Sequence, residues 1–485
     1  MLELMHTQSI ARIIGFLAFG FSLILFLPIL VALIYGEKEV AHFLIAIGVT
    51  AIIGQLFILL GRGPVHELNN RDGFLIVVIF WFGLSAIASL PFMLSAHLNV
   101  VDALFEAVSA FTTTGATVIT GLDELSKSFL FYRQLLQWLG GMGMIVLAIA
   151  VLPMLGIGGM QLYRAEAPGP FKDEKLTPRL SHTARYLWVF YVGMTIANAL
   201  AYWAAGMTAF DAIAHSFSTV STGGFSTHDA SLGYFQSATI ESIAVFFMIL
   251  GAINFSVHFV VWRNHNPLYY FQNIEVRTFL LVILATVLIV AVILKDTGEY
   301  VGYTSSLHNG LFEVVSVITS TGFGTVDFSH WPSFLPVLLI FISFIGGCGG
   351  STAGGMKVIR VILLTQQGFR EVRQLIHPRA LLPIRVGDRV IPVQTTQGVW
   401  GFFAIYVVSF VILMLLIMST GLDQVSAFSA IATSMNNLGP GLGEVAMSFA
   451  TVSDSGKLIA AFAMLLGRLE VFTVLVLLTP EFWRG

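Results

Sequence analysis

One short pattern occurs four times in the chain and restricts its fold more than any other feature. Residues 105–117 read FEAVSAFTTTGAT. Later copies align on a glycine: IAHSFSTVSTGGF around Gly223, FEVVSVITSTGFG around Gly322 and SAIATSMNNLGPG around Gly439. The stretches FEAVS and FEVVS, beginning at Phe105 and Phe312, agree at four of five positions and start ten residues before their glycine. Each copy is a short apolar run that closes on small hydroxyl residues and then glycine, and hydrophobic segments flank it on both sides. A repeat of this kind has to be recognised before any element is assigned.

A run of this length cannot cross a bilayer, which takes roughly twenty residues. Irregular backbone survives at membrane depth only where protein or a water-filled cavity satisfies it. A short helix ending in Thr-Gly and repeated four times therefore reads as a re-entrant loop around a central axis. Four such loops can ring an ion with backbone carbonyls, glycine permitting the dihedrals that aim them inward. The partly negative helix C-termini would face the axis and favour a cation. Four surface loops with ordinary glycine turns are the alternative, but turns do not account for equal placement between hydrophobic pairs.

Composition supports the membrane reading. Of 485 residues 56% are hydrophobic and 11% charged, against about a quarter charged in soluble chains. Residues 1–3 (Met1, Leu2, Glu3) lack a basic start, so no removable signal peptide is expected. Cys348 is the single cysteine, which excludes an intramolecular disulfide and a cysteine metal cluster. Hydrophobic runs fall near 13–35, 41–60, 73–95, 134–155, 186–205, 238–262, 277–294, 334–345 with 358–364, 399–420 and 457–479. With the N-terminus inside, 18 of the 24 Lys and Arg fall in cytoplasmic segments, as the positive-inside rule requires. All four glycine loops then open outward, where Asp102, Asp123, Glu124, Asp229, Asp296, Glu299, Asp327, Asp423 and Glu444 form an acidic rim that would concentrate cations.

The expected architecture is an all-α polytopic membrane protein: four pseudo-repeated units of span, re-entrant pore helix and span around a central pore, plus an N-terminal two-helix hairpin. The hairpin is residues 1–70 and the units are 71–160, 161–265, 266–375 and 376–485. The second spans align too, with Gly140, Gly251, Gly346 and Gly467 lying 25, 28, 24 and 28 residues after Gly115, Gly223, Gly322 and Gly439. All units share one orientation, so the pseudo-symmetry axis runs along the membrane normal, unlike that of inverted-repeat transporters. Two longer cytoplasmic linkers, 156–185 and 366–396, carry mixed and basic charge. The second could hold anionic lipid headgroups or dock a soluble partner, and simple positive-inside bias explains it equally well.

The third unit departs from the rest. Six glycines lie within residues 346–355, and each costs about 1 kcal/mol against alanine in a helix, so the span must break there. A phosphate-binding loop is disfavoured because Met356-Lys357 follows in place of G-K-[ST]. The broken segment, with Gly346, Gly347, Gly349, Gly350, Ser351, Thr352, Gly354 and Gly355, is a candidate gate below the ring. Arg468 sits on the matching turn of the fourth unit and needs a partner at that depth. Either it pairs with Glu470 or Glu241 as a structural bond, or it caps carbonyls of the glycine-rich loop and sets a positive barrier. His215, Asn254 and His258 are explained by helix-packing hydrogen bonds.

With these motifs in hand, the sequence closely resembles the TrkH/KtrB family of potassium transporters, in particular the TrkH branch with its extra N-terminal hairpin. Thr113-Thr114-Gly115, Ser221-Thr222-Gly223 and Ser320-Thr321-Gly322 resemble a reduced potassium-channel signature, and Thr321-Gly322-Phe323-Gly324 comes nearest to T-V-G-Y-G. The fourth copy, Asn436-Asn437-Leu438-Gly439-Pro440, departs from it. The filter candidates are thus Thr112, Thr113, Thr114 and Gly115; Val220, Ser221, Thr222 and Gly223; Thr319, Ser320, Thr321 and Gly322; and Asn436, Asn437, Leu438 and Gly439. The resemblance implies a bacterial inner-membrane protein with both termini cytoplasmic, a homodimer with one pore per protomer, K⁺ as the transported ion and no covalent cofactor. It also implies a cytosolic nucleotide-binding regulatory subunit of the TrkA kind. No nucleic-acid partner is expected, and the absence of a carboxylate pair, a nucleophile–His set or a metal cluster disfavours an enzyme. Two function classes remain: a gated potassium-conducting pore, and a secondary transporter coupled to H⁺ or Na⁺.

Overall fold

The computed structural model describes residues 6–63, 69–146, 180–300, 302–332, 334–387 and 389–484. It is almost entirely helical; one two-stranded ribbon, Arg385–Val386 with Arg389–Val390, sits in the linker before the fourth unit. Among the described residues six helices are long and apolar enough to cross a bilayer: Thr7–Tyr35, Val40–Leu60, Arg71–Ser95, Tyr186–Ala204, Ile274–Asp296 and Val393–Met418. The expected run 238–262 is a pair, Ala238–Ala252 and Phe255–Asn264, bent by 98°. Residues 147–155 of the run 134–155, and the linker as far as residue 179, lie outside the described residues.

The N-terminal hairpin packs through small residues. A side chain at Gly15 would overlap the Gly54 carbonyl and the Ile58 backbone, so two helices approach at backbone distance there, as membrane helices commonly do. The hairpin is tied to the first unit by Glu37, which accepts from the Lys127 and Ser128 amides at 2.6 and 2.9 Å.

Four short helices, Val100–Phe111, Ala209–Val220, Tyr303–Ile318 and Gln424–Asn436, occupy the middle of the molecule with nearly every residue of their inner turns buried. Three have side-chain caps. Asn99 and Thr208 accept from the Asp102 and Asp211 amides, and Asp423 accepts from those of Val425 and Ser426. A carboxylate in the cap or first turn also suits the positive helix N-terminus.

The repeated glycines of the second spans have a packing cause. A Cβ at Gly140 or Gly467 would strike the carbonyl oxygen of Phe111 or Met435, and one at Gly251 would crowd that of Val220 at 3.1 Å. Each second span is therefore pressed against the base of its own unit's short helix. In the third unit the span has already ended at Ser343, and the next helix starts only at Val358. Gly346 lies instead in left-handed backbone against the Gly354 carbonyl.

Candidate functional site

All four short helices end in the same way. The amides of Thr113, Thr222, Ser320 and Asn437 bond the carbonyls of Ala110, Thr219, Val317 and Ser434, and the next amides, of Thr114, Gly223, Thr321 and Leu438, reach back to Ser109, Ser218, Ser316 and Thr433. This is the Schellman pattern, which usually places glycine at the left-handed position. Here that position holds Thr113, Thr222, Ser320 and Asn437, at φ of 51–54°. Such backbone costs about 1–3 kcal/mol per non-glycine residue and tends to mark functional segments. Glycine follows two residues later, again at positive φ: Gly115 (81°), Gly224 (77°), Gly322 (80°) and Gly439 (93°).

The structure therefore corrects the register of the second copy by one residue. Gly224, not Gly223, matches Gly115, Gly322 and Gly439, while Gly223 takes the place of Thr114, Thr321 and Leu438. Gly223 does not carry a positive φ. Val220 then becomes the last helical residue, equivalent to Phe111, Ile318 and Met435.

The corrected register closes a ring. A Cβ at Gly115 would collide with the Gly223 carbonyl oxygen, one at Gly224 with that of Thr321, one at Gly322 with that of Leu438, and one at Gly439 with that of Thr114. Each loop thus lies against the next, first to second to third to fourth and back to first, and no side chain fits in between. The fourth copy's asparagines hold this arrangement: Asn437 Nδ2 donates to Thr114 Oγ1 and to the Met464 carbonyl, both at 3.0 Å, and Asn436 bonds Ser343 and Tyr406.

Behind the ring, the position nine residues before each left-handed glycine holds Glu106, His215, Glu313 and Ala430. The first three grip the outgoing limb of their own loop. Glu106 accepts from the Thr117 hydroxyl and the Val118 amide, His215 bonds Ser226 through Nε2, and Glu313 accepts from Thr325 and Val326. Arg133, fully buried, pairs with Glu106 at 2.8 Å and donates to the Ser226 carbonyl, joining first and second loops. Gln137 donates to the Gly223 carbonyl at 2.6 Å and accepts from the Phe225 amide. The sequence reading missed this layer, although the agreement of FEAVS with FEVVS placed a glutamate at one position in two copies.

Above the ring lies a cavity of about 320 Å³ lined by all four left-handed glycines. Three of the nine expected rim acids are matched by bases, Asp327 by His330 at 3.0 Å among them. Lys457 holds Asp102 at 2.6 Å, and His228 bonds Asp123 and stands 3.6 Å from Asp211. Of the rim acids, Asp229 and Asp327 line the cavity.

Below the ring, residues 344–357 run irregularly against the ends of the second, third and fourth short helices. Thr352 Oγ1 donates to the Val220 and Gly251 carbonyls at 3.1 and 3.0 Å, the Gly354 amide bonds Ser320 Oγ, and the Gly355 amide donates to the Asn436 carbonyl at 3.1 Å. Glu275 receives the amides of Gly349, within the crossing, and Ile359, just after it. Asn254 sits against Gly350, whose carbonyl accepts from the Phe255 amide. Gly346, Gly347, Gly349, Ser351 and Thr352 are all in this crossing, the last two fully buried.

Arg468, 1% exposed, completes it: Nη1 donates to the Thr352 carbonyl at 3.0 Å, Nη2 lies 3.5 Å from the Gly140 carbonyl, and Trp81 stacks at 6.0 Å. The two acids considered for Arg468 are engaged elsewhere, Glu470 with Arg360 at 2.7 Å and Glu241 with His308. Among the described residues no carboxylate pairs with Arg468, so a positive charge stands directly under the ring.

Four loops closed head to tail around one axis inside an apolar helical shell define a pore-loop membrane protein. The chain belongs to the TrkH family, whose members are described as cation transport proteins and whose pattern matches residues 40–484. It is 52% identical over 99% of its length to the complete Trk system potassium uptake protein TrkH of Vibrio parahaemolyticus, and 48% identical over 99% to the complete Escherichia coli K12 protein of that name. TrkG of the same E. coli strain is 41% identical over 99% of each chain. The crystal structure of the potassium transporter TrkH from Vibrio parahaemolyticus superposes with a TM-score of 0.92 at 50% identity, covering 98% of this chain and 99% of that one.

Proposed function

We propose that this chain carries potassium into the cell through a gated, channel-like pore, with the backbone carbonyls of the four loops as its selectivity filter. The observation that supports this reading most is the closed ring of Gly115, Gly224, Gly322 and Gly439, each lying on its neighbour's preceding carbonyl. Carbonyls at such a constriction replace an ion's hydration shell. Thr114, Gly223, Thr321 and Leu438 supply one layer of ligands, and the residues before them, Thr113, Thr222, Ser320 and Asn437, supply a second. The relatives' names, potassium uptake proteins, agree with the cation this geometry would take.

The glycine-rich crossing is the gate in this reading. It fills the path below the filter, and Arg468 adds a charge that repels a cation. Its strand leads into Val358–Ile376, a helix that leaves the membrane region with Phe369, Val372, Leu375 and Ile376 exposed beside Arg370 and Arg373. A cytosolic nucleotide-binding subunit of the kind the family resemblance implies would act there, on a homodimer in the inner membrane with cytoplasmic termini.

The test is transport by the purified chain in liposomes. K⁺ influx down its own gradient, with no other ion gradient imposed, is expected for wild type and is expected to rise when residues 349–354 are shortened. No influx in either protein would overturn the proposal.

A further inference from the structure

We propose that Glu313 is a cation-capture site in the outer vestibule, holding a partly hydrated monovalent cation to one side of the axis before it enters the filter. This rests on the pore reading above and adds a site to it. The argument starts from broken symmetry. Of the four equivalent positions behind the ring, Ala430 carries no charge, His215 is bonded at both ring nitrogens, and Glu106 is neutralised by Arg133 at 2.8 Å. Glu313 has no such counter-charge. Counting from the span glycines, Leu339 stands where the first unit has Arg133, and among the described residues no cation pairs with Glu313.

Its geometry points to a ligand. Glu313 is 1% exposed, and its three hydrogen bonds, from the Thr325 amide at 2.9 Å, the Thr325 hydroxyl at 3.1 Å and the Val326 amide at 3.3 Å, all fall on Oε1. Oε2 has no hydrogen-bond partner among the described residues, and the side chain lines the cavity that the four glycines floor. A carboxylate oxygen that faces the cavity without a protein donor is open to a cation and its remaining waters. With Asp102 and Asp123 already matched by Lys457 and His228, the carboxylates that line the cavity are Asp229, Glu313 and Asp327, and Asp327 is bonded by His330 at 3.0 Å.

The site is a hard oxygen donor with at most one formal charge in a roomy cavity. That chemistry suits a monovalent alkali cation keeping part of its shell, not a dedicated divalent cage, which needs several carboxylates and carbonyls. Capture there raises local ion concentration, so the effect belongs in the apparent affinity for transported ion and not in the maximal rate.

The experiment measures Rb⁺ uptake against external K⁺ and Rb⁺ concentration in proteoliposomes, for wild type, Glu313→Gln and Glu313→Asp. Glutamine keeps the acceptor for Thr325 and Val326 but loses the charge. Half-saturating concentration should rise about fivefold in Glu313→Gln, as expected for losing one unit charge at close range in a partly aqueous cavity, with maximal rate retained and the shift reversed by Glu313→Asp. An unchanged half-saturation, or a loss of maximal rate alone, would overturn the proposal. Crystals of wild type soaked in Tl⁺ provide a second reading independent of variant folding: anomalous density beside Glu313 Oε2 supports the site, and density on the fourfold ring only removes it. Absence of uptake by wild type would count against the pore reading itself, while the soak still decides the site.

Discussion

Arg468 and Thr352 are 116 residues apart in the chain, yet the guanidinium Nη1 donates to the Thr352 carbonyl at 3.0 Å in the centre of the molecule. Each solves a problem for the other. Thr352 belongs to a helix-free crossing whose carbonyls need donors at membrane depth, and an arginine at that depth needs acceptors. The Arg468 Nε has no partner among the described residues, so the guanidinium's own bond set is incomplete.

Arg468→Ala should therefore release the crossing. A hydrogen bond from a charged donor contributes about 1.5–3 kcal/mol, so flux through the partner-free protein is expected to rise about tenfold or more. Comparison of flux per folded protein, with folding checked by size exclusion, settles the matter. Unchanged flux in a folded variant would place the gate elsewhere.

The corrected register makes Gly223 and Gly224 distinguishable. At Gly224 an added Cβ meets the Thr321 backbone in left-handed conformation, whereas at Gly223 it meets the end of the Gln137 side chain, which can move only by giving up its bonds to Gly223 and Phe225. Left-handed backbone costs an alanine about 1–2 kcal/mol, before any displacement of Thr321. Gly224→Ala should lose K⁺ over Na⁺ discrimination about tenfold, and Gly223→Ala should lose less. Equal effects, or the reverse order, would contradict the ring as described.

How much of this could be read from the sequence depends on the range of the interaction that fixes it. The four loops and their glycines were legible because a local rule writes them: helix end, a hydroxyl residue (asparagine in the fourth copy) in left-handed backbone, then glycine where the neighbouring loop leaves no room. The break after Ser343 was legible for the same reason, as glycine density decides it locally. The second copy's register was not, because two adjacent glycines leave the alignment free to slip and only the clash with Thr321 chooses between them. The partner of Arg468 stayed open between acids and carbonyls, since neither Thr352 nor Gly140 is near it in sequence. The acidic rim was legible only in part for a related reason: Lys457 lies 355 residues from Asp102, and composition does not disclose the pairing.

Selectivity should be only moderate. One left-handed glycine per copy, and Leu438-Gly439-Pro440 in the fourth, provide fewer well-formed carbonyl layers than a full T-V-G-Y-G pore. K⁺ and Rb⁺ are expected to pass alike, with Na⁺ partly excluded in competition flux assays. Exclusion of Na⁺ as complete as in tetrameric potassium channels would contradict this.

The outer loops should respond to pH through His228. Burial disfavours its charged form, but hydrogen bonds and charge from Asp211 and Asp123 outweigh it and raise its pKa above 6.5, while the His228 bond lowers that of Asp123. A raised histidine contributes stability that is full below the unfolded value near 6.5 and is lost as pH climbs through the folded value. The thermal-stability gap between wild type and His228→Asn should thus be widest at about pH 5–6 and close toward alkaline pH. A gap that stays constant across that range would show that His228 acts by packing on Tyr234 alone.

The central claim is that ions cross along one continuous carbonyl-lined path without obligatory coupling. It is tested most directly by the zero-current voltage of the purified protein in a planar bilayer, with a K⁺ gradient, Na⁺ replaced by an impermeant cation and a pH gradient imposed. The pore account predicts a voltage at the K⁺ equilibrium potential that does not move when the pH gradient is reversed or when a Na⁺ gradient is added at concentrations too low to compete. A voltage displaced by either gradient in a fixed ratio would show coupled transport and contradict the account.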